Sequence, residues 1–415
     1  MRRPFKSNVQ KRSADSQRLT ALAQAMVQSA SRLEERGWEQ QLDAALRRLM
    51  KNDHQDIIDA ALDQAFKLES AAYDALMESA EAVSESCQIE HEGVQYDALL
   101  IAAPILAWTR FSIAAGPLAH EPHATLSAQL YAHVLAANAK MAMAPMLYSI
   151  DQLPRNHAET HALTQRLAQA AVKGSFVKLD PHQAETAPFL ADTRYLIAVV
   201  AAASGEPLFR WQESPDPNER DVALSQWNTQ AMPTVTRLLP GCGVELLLPE
   251  AYFAACREGD RNIRPASIRA AVHYLTHTLN VDAGALQAVI GGFGEEESGG
   301  RIDEYRISFA LSRDQDVVYG VVWPLYGPED AEELPYEAAP PDELGIGSGI
   351  DRKSPLEEIV SLLEECGITQ IKHHAEHFPM EFCDDCGAPL FPDIDAELAH
   401  AEMPEDVPTS AGHLH

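Results

Sequence analysis

A nearly continuous apolar run at residues 98–108 (ALLIAAPILAW) constrains the fold more than any other segment of the 415-residue chain. It is eleven residues long and contains a proline, whereas a membrane-spanning helix needs about 20 apolar residues. A run this short and this apolar is typical of a strand that is covered on both faces. We therefore expect a sheet with helices on both sides, and no membrane span.

The same alternation of strand and helix recurs along the middle of the chain. Strands are predicted at 99–108 and 141–150 with helices at 126–138 and 156–171, and then at 195–203 and 244–248 with helices at 218–238, 250–258 and 265–279. A duplicated β-α-β-α body predicts an α/β fold with a mixed sheet, with α+β as the alternative. The order alone does not establish a duplication, because every α/β protein alternates in this way.

Six segments follow from these patterns. Residues 16–90 show helical spacing and predict an array of four short helices, 91–283 form the duplicated body, and 284–326 form a β-hairpin extension. A disordered basic tail is predicted at 1–15, an acidic linker rich in proline and glycine at 327–350, and a C-terminal βα segment with a metal knuckle and a disordered tail at 351–415.

The charge of the chain is strongly negative and unevenly spread. The net charge is −30; residues 1–51 carry eleven Lys/Arg against five Asp/Glu, a net of +6, and residues 327–415 carry three against 22, a net of −19. An acidic surface repels phosphate backbones, so nucleic-acid binding is not expected of the body. The basic start is interpreted as a solvated tail, with contact to nucleic acid as the alternative.

The compartment is predicted from cysteine use and from the N-terminus. Six cysteines show no disulfide framework, and no apolar segment of a secretory signal follows the first basic residues. We expect a cytoplasmic protein with reduced thiols.

The strongest chemical signal is Cys383-Asp-Asp-Cys386 followed by Gly387. Two thiolates separated by two residues can both bind one tetrahedral Zn²⁺, and the glycine permits the tight turn that points N–H groups at sulfur. His400 follows fourteen residues after Cys386, a gap that suits a hairpin returning to the turn.

The preferred ligand set is Cys383, Cys386, His400 and one of His374 or His377. Four protein ligands would make this a structural zinc site. The alternatives are a knuckle without metal, or a redox pair, which the carboxylates flanking the thiols oppose.

Other patterns favour structural roles. The helical pairs His157/His161 and His273/His277 are interpreted as surface or core histidines, because no glutamate directly follows His157 as a zinc protease helix requires. The glycine-rich stretch 291–300 contains three consecutive glutamates and is predicted to be a hairpin loop, not a phosphate site.

One cluster of arginines contrasts with the acidic background: Arg257, Arg261, Arg264 and Arg269. Pro265 predicts a helix start beside Arg264, where arginines could hold a small anionic ligand. Internal pairing with Glu250, Glu258 and Asp260 is the favoured interpretation.

The segments CDDCGAPLFP, YDALLIAAPILAW and GCGVELLLPEAYFAACR together resemble an uncharacterised bacterial family without an assigned activity. The resemblance covers nearly all residues after the N-terminal tail and implies no functional residues. The CxxCG portion is separately similar to half of a zinc ribbon. It lacks a second CxxC, which leaves the other two ligands open.

Two functions remain open. The chain contains no nucleophile elbow, Walker loop or dinucleotide fingerprint. This favours a non-enzymatic scaffold that binds a protein partner or a small ligand, with a structural zinc knuckle. The alternative is an enzyme with a site in the crevice at the strand ends, near Arg257–Arg269.

Overall fold

The structure is a computed structural model that describes residues 13–177, 189–294, 302–312, 314–326 and 354–404. Most of the predicted basic tail, the glycine-rich loop at 295–301, the acidic linker and the end of the C-terminal segment lie outside these residues. The described chain forms a helical N-terminal region followed by two sheets with packed helices. The α/β class with a helical N-terminus is confirmed, whereas the domain boundaries stay predictions. Within the same residues, no helix combines the length and the apolar character needed to cross a bilayer.

Four helices pack together before the first strand: α1 (Ala14–Val27), α2 (Arg32–Lys51), α3 (Gln55–Leu68) and α4 (Ser70–Glu85). Leu19, Leu46 and Ile58 lie in their common core. The sequence predicts a break at Gly37, but α2 runs through it. The Ser31 side chain caps α2 by accepting from the Glu34 amide, and a cap of this kind offsets the cost of about 1 kcal/mol for an internal glycine.

The first sheet is antiparallel throughout. Its order is β1 (Ser86–His91), β2 (Val94–Trp108), β5 (Ala191–Ala203), β4 (Lys140–Ser149) and β3 (Gly116–Pro117), and two short strands, β6 (Gly243–Leu246) and β7 (Glu250–Ala251), also pair with β2. β2 and β5 pair along their whole overlap, from Tyr96 opposite Ala203 to Trp108 opposite Ala191. The apolar run therefore lies in the middle of the sheet.

Helices cover both faces of this sheet, which explains the continuous burial of β2. The first β-α-β-α unit consists of β2, α5 (His120–His133), β4 and α6 (His157–Lys173), and the second of β5, α7 (Glu219–Leu238), β6 and α8 (Tyr252–Thr278). α5 and α7 contribute Leu126 and Trp227 to the core on one face. α6 and α8 contribute Leu167 and Tyr252 to the core on the other. The predicted order thus occurs twice, with equivalent helices on the same face.

The second sheet is mixed. Its order is β10 (Asp314–Pro324), β9 (Glu304–Leu311), β8 (Leu286–Gly294) and β11 (Gln370–Pro379), with β11 parallel to β8 and the other pairs antiparallel. Helix α9 (Pro355–Glu365) leads into β11 and begins with a capping box between Ser354 and Glu357. A ribbon of two short strands, β12 (Phe391–Pro392) and β13 (Leu398–Ala399), follows.

One continuous helix, α8, packs on both sheets. The sequence predicts two helices here, 250–258 and 265–279, but α8 runs through Pro265 without interruption. Its first half packs on the first sheet through Tyr252, and its second half packs on the second sheet through Ile268 and Leu275. Packing on both sides of the proline offsets the backbone hydrogen bond that proline removes. Arg264 therefore lies inside a helix and not beside a helix N-terminus.

The carboxylate of Glu85 joins the helical region to α8. Its Oε2 accepts a hydrogen bond from the Phe253 amide at 3.0 Å. Burial raises the pKa of Glu85 from 4.5 to about 7, against the effect of that hydrogen bond. Between these two values the folded protein binds more protons than the unfolded chain, so this contribution to stability is lost as the pH rises.

We expect Glu85→Gln to abolish this loss. As the pH is raised from about 5.5 to about 8, the wild type should lose about 2 kcal/mol of unfolding free energy through Glu85. The variant should not show this loss. Urea denaturation at both pH values measures the difference, and Glu90→Gln, at an exposed position of β1, is the control. Parallel curves for Glu85→Gln and the wild type would show that Glu85 is not the titrating group.

Gly320 in β10 lies directly under the ring of Phe391, and a Cβ at this position would overlap the ring. Phe391 is buried, so Gly320→Ala must displace β12 or strain β10. We expect the free energy of unfolding to fall by about 1–3 kcal/mol in chemical denaturation. Gly284→Ala, which would place a Cβ in open space, should change it by less than about 0.5 kcal/mol. Equal effects of the two substitutions would contradict this packing.

Candidate metal centre and adjoining cavity

Cys383 and Cys386 lie in a tight turn between β11 and β12. The Cys383 amide donates to the carbonyl of Ala388 at 2.7 Å, and the Gly387 amide donates to the carbonyl of Cys383 at 2.8 Å. Gly387 has a φ of +74°, in the left-handed region that glycine enters without strain. The glycine after the second cysteine thus permits the turn.

Backbone amides point at the first sulfur. The amides of Cys386 and then Asp385 are the largest causes of a lowered pKa of Cys383, because hydrogen bonds to sulfur favour the thiolate. The thiolate is the form of cysteine that binds metal ions.

The ribbon of β12 and β13 returns the chain to this turn. Phe391 pairs with Ala399, and His400 follows directly. The His400 Nε2 atom lies 3.2 Å from Cys386 Sγ. One ligand atom from each of Cys383, Cys386 and His400 lies within 4.8 Å of the other two, so the three residues could hold a metal ion.

The second ring nitrogen of His400 faces a carboxylate. Its Nδ1 atom lies 3.2 Å from Glu402 Oε1, an ion-pair distance without hydrogen-bond geometry. The Glu402 amide donates to the carbonyl of Val317 at 2.9 Å, which fixes this stretch beside β10. A carboxylate near the second nitrogen is a common partner of a metal-bound histidine, because it sets the orientation of the ring.

The structure does not bring His374 or His377 into this group. The sequence pattern predicts a strand at 368–373 only, but β11 continues through both histidines. His374 is buried, with Nε2 2.8 Å from the carbonyl oxygen of Asp393. His377 is exposed and pairs in register with Gly292 of β8.

A buried arginine holds the turn against the second sheet. Arg306 of β9 is completely buried and donates to the carbonyls of Glu381 and Leu390, both at 2.7 Å. Its guanidinium lies 4.2 Å from the ring centroid of Phe293 and 5.1 Å from that of Phe382. The two carbonyls lie on opposite sides of the cysteine turn, so one side chain fixes both. Sequence reasoning missed Arg306, whose only signal is a positive charge within the largely apolar strand β9.

A cavity of about 850 Å³ adjoins the metal-ligand group. Its wall is built by the start of β5, the middle of α8, β10 and the C-terminal segment. Cys386 and His400, but not Cys383, are among the residues that line it. Sequence reasoning did not predict this cavity, since its walls come from four segments distant in the chain.

The four arginines of the predicted cluster do not converge on one site. Arg257 binds both carboxylate oxygens of Glu81, at 2.7 and 2.8 Å, and Arg269 lies 3.4 Å from Glu365. Arg261 is on the exposed face of α8. Internal pairing is thus observed for Arg257 and Arg269, although with partners other than those predicted.

Arg264 alone among the four lines the cavity. It is buried, and its guanidinium lies 5.6 Å from the Trp323 ring and 5.4 Å from the Tyr326 ring. The aromatic faces stabilise its positive charge.

Nearly the whole chain, residues 4–414, matches the family described as protein of unknown function (DUF2863). The chain belongs to the DUF2863 family. No curated protein and no solved structure matches it. The resemblance to an uncharacterised family is confirmed for this DUF2863 protein.

Two carboxylates that the sequence did not assign to a site, Asp260 and Asp192, also line the cavity of this DUF2863 protein. Asp260 Oδ1 accepts from the Tyr195 hydroxyl at 3.3 Å, and Oδ2 accepts from the Tyr326 hydroxyl at 2.8 Å. Burial raises the pKa of Asp260, while these hydroxyls and Arg264 oppose the shift. Asp260 was considered from the sequence only as an ion-pair partner.

The second carboxylate, Asp192, pairs with Arg194, which is almost completely buried. Burial raises the pKa of Asp192, and the charge of Arg194 opposes the shift. Arg194 also donates to the carbonyls of Ile113 and Ala114, both at 2.9 Å, so the pair ties β5 to the segment after β2.

Asp192→Asn in this DUF2863 protein should lower the free energy of unfolding by about 3 kcal/mol, because it leaves a buried guanidinium without its carboxylate. The remaining carbonyl partners keep the loss at the lower end of the range for buried pairs. Denaturant unfolding measures it, and Glu35→Gln, which breaks the exposed pair with Arg32, should cost less than about 1 kcal/mol. Similar small losses for both variants would contradict the role given to Asp192.

Proposed function

We propose that this protein is a non-enzymatic, zinc-dependent binding protein. Zn²⁺ bound by Cys383, Cys386 and His400 would fix the C-terminal segment, which forms one wall of a cavity for a small, largely apolar molecule. The observation that carries the proposal is that Cys386 and His400 belong both to the metal-ligand group and to the cavity wall.

Zinc is the metal that fits the donor set best. Two thiolates and an imidazole are typical zinc ligands, and the two-residue spacing is that of zinc knuckles and ribbons. Hard cations such as Mg²⁺ and Ca²⁺ prefer oxygen ligands, which this group lacks.

The C-terminal segment has little other structure to hold its shape. Between β11 and residue 404, β12 and β13 are two residues each, and the rest is turn or extended chain. Small elements of this kind commonly depend on a bound metal. Loss of zinc would loosen the cavity wall, so ligand binding should depend on the metal.

The polar groups of the cavity support binding more than catalysis. Both oxygens of Asp260 accept hydrogen bonds from tyrosine hydroxyls, and Asp192 is paired with Arg194. Carboxylates engaged in this way serve structure and specificity better than proton transfer. The size of the cavity suits a small molecule and is within the range of known ligand sites.

One observation favours an enzyme as a second candidate. The cavity is lined by Asp260, Arg264 and Ser267. These residues belong to the part of α8, Arg257–Arg269, near which the enzyme hypothesis places the site. An enzyme would require one of these side chains to contact the reacting atoms of a substrate. Turnover that depends on Asp260 would favour this candidate over the binding protein.

A cytoplasmic location is part of the proposal. It is supported by all six cysteines being free thiols in the structure. The strongly acidic charge of the chain supports a partner or ligand other than nucleic acid.

The metal content of the purified full-length protein tests the proposal. We expect about one zinc per chain, and less than about a fifth of that in Cys383→Ser, Cys386→Ser and His400→Ala, since each removes a ligand. His377→Ala and Cys366→Ser, outside the group, should keep the wild-type content.

Two results would refute the zinc site. One is a wild-type protein that binds no zinc after expression and dialysis with the metal. The other is a loss of zinc in His377→Ala as large as that in His400→Ala.

A further inference from the structure

Two of the three candidate metal ligands line the cavity, so a bound zinc ion could contact a molecule inside it. Tetrahedral zinc takes four ligands, and the group supplies three from the described residues. A site with three protein ligands has a position for an exchangeable ligand, and two thiolates with one histidine form such a site in known enzymes.

We infer that the fourth coordination position faces the cavity and binds the head group of the cavity's ligand. That ligand is a molecule with an apolar body and one singly charged metal-binding head, a thiolate or a carboxylate. This inference rests on the proposed zinc site and extends it from a structural to a ligand-binding role.

The direction of the position follows from the surroundings of the three ligands. Cys383 Sγ accepts hydrogen bonds from backbone amides of its own turn. Cys386 and His400 line the cavity, together with the neighbouring residues Ala388, Pro389 and Ala401. A metal between the two sulfurs and Nε2 of His400 would therefore lie at the cavity wall.

Charge selects the head group. Zn²⁺ with two thiolates and a neutral imidazole has no net charge. Among the described residues, Glu402, Asp260 and Asp192 also line the cavity and outnumber its one arginine, Arg264, so a phosphate or another polyanion would be repelled. A single negative charge on sulfur or oxygen can bind zinc and is repelled less than a polyanion.

The remaining wall selects the body of the ligand. The side chains of Leu190, Ile263, Val318, Phe391 and Met403 present apolar surface to the cavity. Contact with such surface contributes about 25 cal/mol per Å², so a head group that carries a hydrophobic tail should bind more tightly than the head alone.

Cobalt replacement tests this inference in the full-length protein, because the visible spectrum of bound Co²⁺ reports its ligands. The probes are azide, ethanethiol and 3-phenylpropanethiol. We expect each to change the spectrum, and the phenylpropyl thiol to do so with an apparent Kd at least about tenfold lower than that of ethanethiol, because its tail enters the cavity.

Ser267→Phe separates the cavity from the metal. Ser267 lines the cavity from α8 and is not a metal ligand, so the variant should bind Co²⁺ normally and lose the tenfold preference for the longer thiol. Ser225→Phe, at an exposed position of α7, is the matched control and should keep the preference.

Three outcomes would overturn the inference while leaving the zinc site intact. They are a spectrum that no probe changes, equal affinity for the two thiols, and a spectrum that responds to probes only after His413→Ala or His415→Ala. The last would assign the fourth ligand to the C-terminal residues outside the described structure. A protein that binds neither Co²⁺ nor Zn²⁺ would instead refute the proposed function.

Discussion

A buried guanidinium fixes the position of the C-terminal segment on the second sheet. Arg306 donates to carbonyls on both sides of the cysteine turn and is enclosed by the rings of Phe293 and Phe382. A buried charge is costly unless it is paired, and Glu304 lies 2.6 Å from Nε of Arg306. The two ends of the turn are therefore fixed to the second sheet by contacts that do not involve metal. The proposed zinc ion would join this turn to the stretch that carries His400.

The second determinant of the site is the length of α8. Because the helix continues through Pro265, its middle part spans the region between the two sheets and carries Asp260 and Arg264 into the cavity. The pairing of β2 with β5 places Asp192, near the start of β5, at the end of the first sheet that borders the cavity. The cavity thus forms where the first sheet, α8, β10 and the C-terminal segment meet, and none of these elements forms it alone.

The sequence predicted features that local patterns determine. Continuous hydrophobicity identified β2, and helical spacing identified α1 to α4. The pair of cysteines with Gly387 and the distant His400 identified three candidate metal ligands that the structure brings together. The sequence could not predict that β11 would extend and hold His374 against Asp393, because strand length there depends on pairing with β8. The unbroken α8 likewise depends on packing against two sheets, which outweighs the local preference of proline.

We propose that zinc binds to two sulfurs and one imidazole at the cavity wall. X-ray absorption at the zinc edge of the purified protein tests it most directly, because the spectrum counts sulfur and nitrogen ligands. We expect two sulfurs at about 2.3 Å, one imidazole at about 2.0–2.1 Å and one further ligand. A shell without sulfur, or one with two or more imidazoles and a single sulfur, would contradict it.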